Sequence, residues 1–154
     1  RMSLTGHLVF STLHTNDAPS SVTRLIDMGI EPYLVSSTVL AFVGQRLVRM
    51  ICPTGKIIDE SPMPEGTQGI PPTVYKGKGC EACRMTGYQG RTGIYEIMTI
   101  TEPIRKLIVA KASAEAIKHK ALEVGYHTMR QDGWKKVALG LTTPEEILRV
   151  TIED

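Results

Sequence analysis

Between Leu8 and Asn16 an apolar run carrying Val9 and Phe10 turns abruptly polar, ending in Thr12, His14, Thr15 and Asn16. The apolar part, Leu8 to Leu13, predicts a short buried strand. In open α/β sheets, ligands bind beyond the carboxyl ends of the strands. A strand that empties into these side chains therefore reads as the wall of a ligand site. His14 would donate to an anionic group, and Thr12 and Asn16 would hold a phosphate oxygen or a water. An ordinary strand followed by a helix cap accounts for the same residues, and both readings stand at this point.

The cysteines form a second constellation. Cys80-Glu81-Ala82-Cys83 has the spacing of a zinc knuckle, and Cys52 lies upstream. A structural zinc takes four ligands, commonly two CxxC pairs. The partner of Cys52 in such a pair would be residue 55, which is Gly55. The set is one ligand short, which leaves three thiolates with a water or borrowed ligand, a metal-free remnant, or redox chemistry without a thioredoxin-like setting. Arg24, Arg46, Arg49 and Arg91 fall near the ends of expected elements. Arginine serves phosphate, carboxylate and subunit contacts, but it is as often solvated or salt-bridged. His119 and His127 read as surface or helix-packing residues. No GxxxxGK[ST], GxGxxG, HExxH or GxSxG motif occurs, so the chain carries no complete catalytic set.

Several elements must position these residues. Asp17 and Pro19 start a helix that runs to about Met28, with Val22, Leu25, Ile26 and Met28 on its apolar side and Gly29 as its stop. Tyr33 to Gly44, with Leu34, Val35, Val39, Leu40, Phe42 and Val43, predicts a nearly buried helix. Gln45 to Cys52 ends as a strand. Residues 53–79 are rich in proline and glycine and predict a long loop, mobile around Ser61 to Gly69, with a short strand at Val74-Tyr75. Gly87 and Gly90 allow tight turns, and Thr92 to Ile100 alternates as a strand around Ile94, Glu96 and Met98. The last third is helical. Thr101 caps a helix to Ala110 with Ile104, Leu107 and Ile108 inward. Ser113 caps a second, with Ile117, Ala121, Leu122 and Val124 inward and Gly125 at its end. Gln131 to Leu139 is a third, burying Trp134, Val137 and Ala138. Thr143-Pro144-Glu145-Glu146 is a capping box that opens a final helix to about Val150.

With 154 residues there is room for one domain, or a core with an appendage. A hydrophobic share of 42% suits a globular protein. Basic and acidic residues number 18 and 16 for a net charge of +2, which with few aromatics argues against a nucleic-acid binder. No apolar run approaches a membrane span of ~20 residues, and no signal peptide is visible. Three cysteines fit a reducing compartment better than a secreted disulfide framework. The abrupt opening at Arg1-Met2-Ser3-Leu4 leads to the expectation of a missing N-terminal part.

Taken together, the motifs resemble one family. Thr5-Gly6-His7-Leu8-Val9-Phe10-Ser11-Thr12-Leu13-His14-Thr15-Asn16 is similar to the His box of the hexameric secretion ATPases, which drive type II secretion and assemble type IV pili. Thr23 to Ile30 resembles their following helix and Gln45-Arg46-Leu47-Val48-Arg49 their QRL segment. Cys52-Pro53 with Gly79 to Gly93 resembles their metal-binding insertion, and Asp132-Gly133 through Thr151 their C-terminal helices.

The resemblance implies an α/β fold, the C-terminal half of a RecA-like P-loop ATPase domain. Residues 1–51 would end the ATPase core, 52–92 form the cysteine-bearing insertion, and 93–154 the last strand and a helical subdomain. It implies an ATP hydrolase whose Walker A and Walker B elements lie upstream, so that this stretch alone is inactive. His7 and His14 would be catalytic, and Thr12, Thr15 and Asn16 would lie near the nucleotide. Arg24, Gln45 and Arg46 would sit at subunit interfaces of a homohexamer. ATP and Mg2+ are the implied ligands, with Cys52, Cys80 and Cys83 as an incomplete zinc set. The expected setting is the cytoplasmic face of the bacterial inner membrane, against platform proteins. Met28 to Leu34 favours secretion over pilus assembly. The competing class is a non-catalytic zinc-ribbon-like interaction module.

Overall fold

The computed structural model describes residues 6–62 and 73–151. In chain order the elements are α1 (Ala18–Asp27), α2 (Pro32–Thr38), β1 (Ala41–Ile51), β2 (Lys56–Asp59), β3 (Val74–Gly77), β4 (Tyr88–Thr99), α3 (Glu102–Val109), α4 (Ala114–Glu123), α5 (Met129–Ala138) and α6 (Pro144–Val150), with 3-10 turns at Pro53–Gly55 and Glu81–Cys83. This mixture of helix and sheet agrees with an α/β class. β1 pairs with β4, and β2 pairs antiparallel with β3 in the register Lys56↔Gly77 to Asp59↔Val74. The chain divides into two compact units, one from residues up to Gly44 with Glu96–His127, the other from Gln45–Tyr95 with Thr128 onward. Among the described residues no helix is long and apolar enough to cross a membrane.

The first unit gathers α1–α4 around Val22, Val35, Phe42, Met98, Ile104, Ile108, Ile117 and Tyr126. α1 starts where expected: Asp17 Oδ1 accepts from the Ser20 N–H at 2.8 Å. Its inward face is narrower than the apolar spacing suggests, since Leu25 and Ile26 are half-buried and Met28 is exposed. The helix expected over Tyr33 to Gly44 ends at Thr38. The hydroxyls of Ser36, Ser37 and Thr38 each donate to a carbonyl of the preceding turn, at Tyr33 or Leu34, and such bonds compete with helix propagation. Beyond them β1 begins, burying Phe42 and Val48 while Val43 and Leu47 face outward. In α4, Ser113 accepts from the Ala116 N–H and Ile117 and Ala121 are buried, but Leu122 and Val124 are exposed, being off the single stripe that meets the core. Thr101 stands before α3 without capping it, and its buried Oγ1 has no hydrogen-bond partner.

The second unit packs β1, β3, β4, α5 and α6 around Val48, Val74, Ile94, Met129, Val137 and Ile147. A Cβ on Gly133 would lie 2.8 Å from Ile147 side-chain carbons. That close approach explains a glycine inside α5, where it costs about 1 kcal/mol of helix propensity. Trp134 is half-buried against this core and Ala138 is exposed, one step off the inward stripe. Within 53–79 the short strand expected at Val74-Tyr75 is present as β3, and it pairs with β2, a strand of four residues that was not expected. Most of the stretch expected to be mobile, 63–69, lies outside the described residues. The strand expected from Thr92 starts four residues earlier, at Tyr88.

Candidate functional site

The two constellations lie in different units. In the first unit, the stretch expected as a buried strand is not one. From Leu8 to Leu13 the backbone has no strand pairing; Leu8 is 70% exposed and Phe10 88%. A strand needs neighbours to take its N–H and C=O groups and to cover its faces. Among the described residues β1 and β4 take each other, as do β2 and β3. At the end of the stretch Leu13 is half-buried against the core of this unit, and Thr15 is hydrogen-bonded to α1. Its Oγ1 lies 2.7 Å from Ser21 Oγ, and Ser21 donates to the Asp17 carbonyl. The Ala18 N–H at the head of α1 donates to Glu96 Oε1 at 2.6 Å, and Tyr126 donates to Glu96 Oε2 at 2.8 Å. Glu96, 3% exposed, thereby sets its buried side chain at the N-terminus of α1. The sequence reading missed this role, though an inward position of an alternating strand, between Ile94 and Met98, held by a carboxylate was a signal for it. His7, Thr12, His14 and Asn16 are exposed, and Arg24 is exposed near the end of α1.

In the second unit the three cysteines come together. Their sulfurs all lie within 4.8 Å of one another, with Cys52 to Cys80 at 3.7 Å and Cys80 to Cys83 at 3.6 Å. Zinc–sulfur bonds of about 2.3 Å in a tetrahedron put sulfurs about 3.8 Å apart, so the donor set fits three corners of such a centre. The knuckle is built by backbone. Arg84 and Met85 take positive φ, and the N–H groups of Cys80 and Gly87 point at Cys83 Sγ at 3.2 and 3.3 Å. Gly87 is required there, with φ +78° and its carbonyl so close to Gly77 that a Cβ on Gly77 would collide with it. Burial works against the Cys83 thiolate, but the two N–H groups and the neighbouring thiols outweigh it and bring the thiol down to about 7. Cys80 is lowered by its backbone bond with Cys83, yet burial and the thiols it faces leave it above the ordinary range. Cys52 Sγ also lies 3.5 Å from Gln89 Oε1. Gly55 sits in the 3-10 turn after Cys52, beside the Gly79 backbone.

Arg49 and Glu146, given separate expectations, meet elsewhere in the same unit, together with Arg149. Glu146 is 1% exposed. It accepts from the Arg49 N–H (2.9 Å), from Arg49 Nη2 (2.6 Å), and from Arg149 Nε and Nη2 (2.8 and 2.9 Å). Burial opposes its ionisation, but the guanidiniums and the amide outweigh it and hold the carboxyl at about 2. The expected capping box is therefore half made: Thr143 accepts from the Glu146 N–H, while the glutamate side chain turns to the arginines. Arg49 stacks over Tyr88 at 4.2 Å, and Thr142 Oγ1 donates to the Arg49 carbonyl. Gln45 donates to the Tyr95 hydroxyl at 3.4 Å, and Arg46 is exposed.

Residues 1–149 match the family described as type II/IV secretion system protein, and the chain belongs to that family. Among its relatives, the type IV pilus assembly ATPase TfpB of Acinetobacter baylyi is 44% identical over 155 residues, covering 96% of this chain and 26% of the relative. Type II secretion system protein E of Pseudomonas aeruginosa is 46% identical over 157 residues, 99% of this chain and 31% of the relative. The type IV pilus assembly ATPase PilB of Myxococcus xanthus is 41% identical over 164 residues, 100% of this chain and 29% of the relative. The chain thus spans about a quarter to a third of the length of these relatives.

Proposed function

We propose that this chain is the C-terminal part of the ATPase domain of a hexameric motor that hydrolyses ATP to power type II secretion. The carrying observation is the collinear match of residues 1–149 to the family, whose similar members are named as ATPases or secretion proteins. Pilus assembly is the second reading, because pilus ATPases match as closely, at 41–44% against 46%. In this reading the fold is half of a RecA-like P-loop domain. Residues 1–51 end its core, 52–92 form the insertion and 93–154 the last strand and helical subdomain, a division by sequence that the two compact units cut across. The exposed apolar side chains of Leu8, Val9 and Phe10 support it, since a strand in waiting needs sheet neighbours from the rest of the domain. The motor works at the cytoplasmic face of the inner membrane against platform proteins.

The mechanism follows from charge. ATP and Mg2+ are held mainly by the upstream part. His14 would meet the terminal phosphate or the attacking water and stabilise charge that develops in the transition state, with His7 as the second His-box residue and Thr12, Thr15 and Asn16 near the nucleotide. Thr15 and Asp17 link that segment to α1, so the presence of the γ-phosphate moves α1 and Arg24 near its end, and with Gln45 and Arg46 reports to the neighbouring subunit. Cys52, Cys80 and Cys83 would hold a zinc whose contribution is a structural cross-link. In the full-length protein, His14→Ala lowers steady-state ATP turnover about 100-fold or more, with the ATP dissociation constant changed no more than a few-fold. Unchanged turnover overturns the assignment. The 154-residue chain alone shows no calorimetric binding of ATP, and micromolar binding would contradict the division of labour.

A further inference from the structure

The second unit carries a cavity of about 530 Å³ lined by Leu47, Arg49, Arg91 and Arg149. That volume is within the range of small-molecule sites, about 300–1,000 Å³. Two of its three guanidiniums are held in place from behind. Glu146, almost fully buried, takes hydrogen bonds from both Arg49 and Arg149, and the Tyr88 ring lies under Arg49. Half of each of these arginine side chains remains exposed, 50% for Arg49 and 55% for Arg149. One carboxylate thus stands against three cations, and the excess charge faces the cavity. We propose that this cavity binds the phosphoryl group of a small phosphorylated molecule, with Arg49, Arg91 and Arg149 as its ligands and Leu47 as the apolar wall for the remainder. Guanidinium forks match phosphate geometry, and a group carrying about two negative charges at neutral pH fits an excess of two cations as a monocarboxylate does not. The arrangement needs no nucleotide hydrolysis, so it stands apart from the motor reading.

The test is calorimetric titration of inorganic pyrophosphate into the full-length protein and its variants, in low salt. Any pyrophosphate held elsewhere is common to all of them and cancels in the difference. Arg91 is exposed, so Arg91→Ala keeps the fold, which a melting curve checks. The wild type is expected to bind one more pyrophosphate per chain than Arg91→Ala, or to bind it at least tenfold tighter. Arg149→Lys, which keeps a charge near Glu146, shows an intermediate loss, and inorganic phosphate competes for the same site. Identical binding in wild type and Arg91→Ala overturns the proposal. So does citrate binding as tightly as pyrophosphate, since that removes the preference for phosphoryl over carboxylate.

Discussion

The cysteine cluster and the histidine stretch are both made of residues with site chemistry, and the chain holds them in opposite ways. Around the cysteines everything is fixed locally: left-handed residues at Arg84 and Met85, two N–H groups aimed at Cys83, and a backbone approach that only glycine at 77 and 87 permits. From Leu8 to His14 the side chains are exposed except Leu13, which is half-buried against the core, and the segment is tied to α1 at Thr15. A ligand cluster that organises itself serves the structure that contains it. A stretch whose apolar and reactive side chains face outward serves something supplied from outside it. If that contrast is right, substitutions in the two regions separate stability from activity.

The largest separation is expected between Glu146 and His14. Glu146→Ala removes the partner of two guanidiniums and of the Arg49 N–H, and costs about 2–4 kcal/mol of stability. His14→Ala touches an exposed side chain and costs within about 0.5 kcal/mol. Urea midpoints measure both, and equal destabilisation by the two would erase the contrast. A pH series sharpens it. Glu146 titrates at about 2 in the folded chain, below its unfolded value of about 4.3. Its stabilising contribution is therefore complete above the unfolded value and is lost as pH falls toward 2. Wild-type stability drops through that window, while a Glu146→Gln variant starts lower at neutral pH and drops less. Parallel curves would mean that the carboxylate charge contributes nothing.

Next in size is completion of the cysteine set. A Cβ at Gly55 meets only the Gly79 backbone, at 3.6 Å, an ordinary contact, so Gly55→Cys places a fourth thiol in the turn that follows Cys52 without displacing its neighbours. Zinc affinity, measured by competition with a chromophoric chelator, should rise about 100-fold, equivalent to about 2.8 kcal/mol. No change would mean that the three existing sulfurs do not form the open side of a metal centre.

What could be read in advance followed the range of the interaction. Caps and breakers are local, so Asp17, Ser113, Thr143 and Gly29 mark their elements correctly. The cysteine trio was legible because CxxC spacing already dictates a knuckle. Strand identity was not, because it depends on partners: Leu8–Leu13 has strand composition without a neighbour, while Val39–Val43 has helical spacing but runs into β1, which pairs with β4. Glu96 and Glu146 were missed in their structural roles for the same reason. Each has partners distant in the chain, Ala18 and Tyr126 for one and Arg49, beside the nearby Arg149, for the other.

The smallest expected effect tests the same lesson at two threonines that look alike in sequence. Thr128 and Thr101 each precede a helix. Thr128 Oγ1 accepts the Gln131 N–H and the Gln131 side chain returns the favour to the Thr128 N–H, a closed capping box. Thr101 Oγ1 is buried and bonds to nothing. Thr128→Val therefore loses about 1 kcal/mol, whereas Thr101→Val removes an uncompensated hydroxyl and is neutral or stabilising by up to about 1 kcal/mol. Thermal midpoints of the two variants against wild type decide it. Should Thr101→Val prove as damaging as Thr128→Val, the hydroxyl of Thr101 does have a partner, and the start of α3 is fixed by a cap after all.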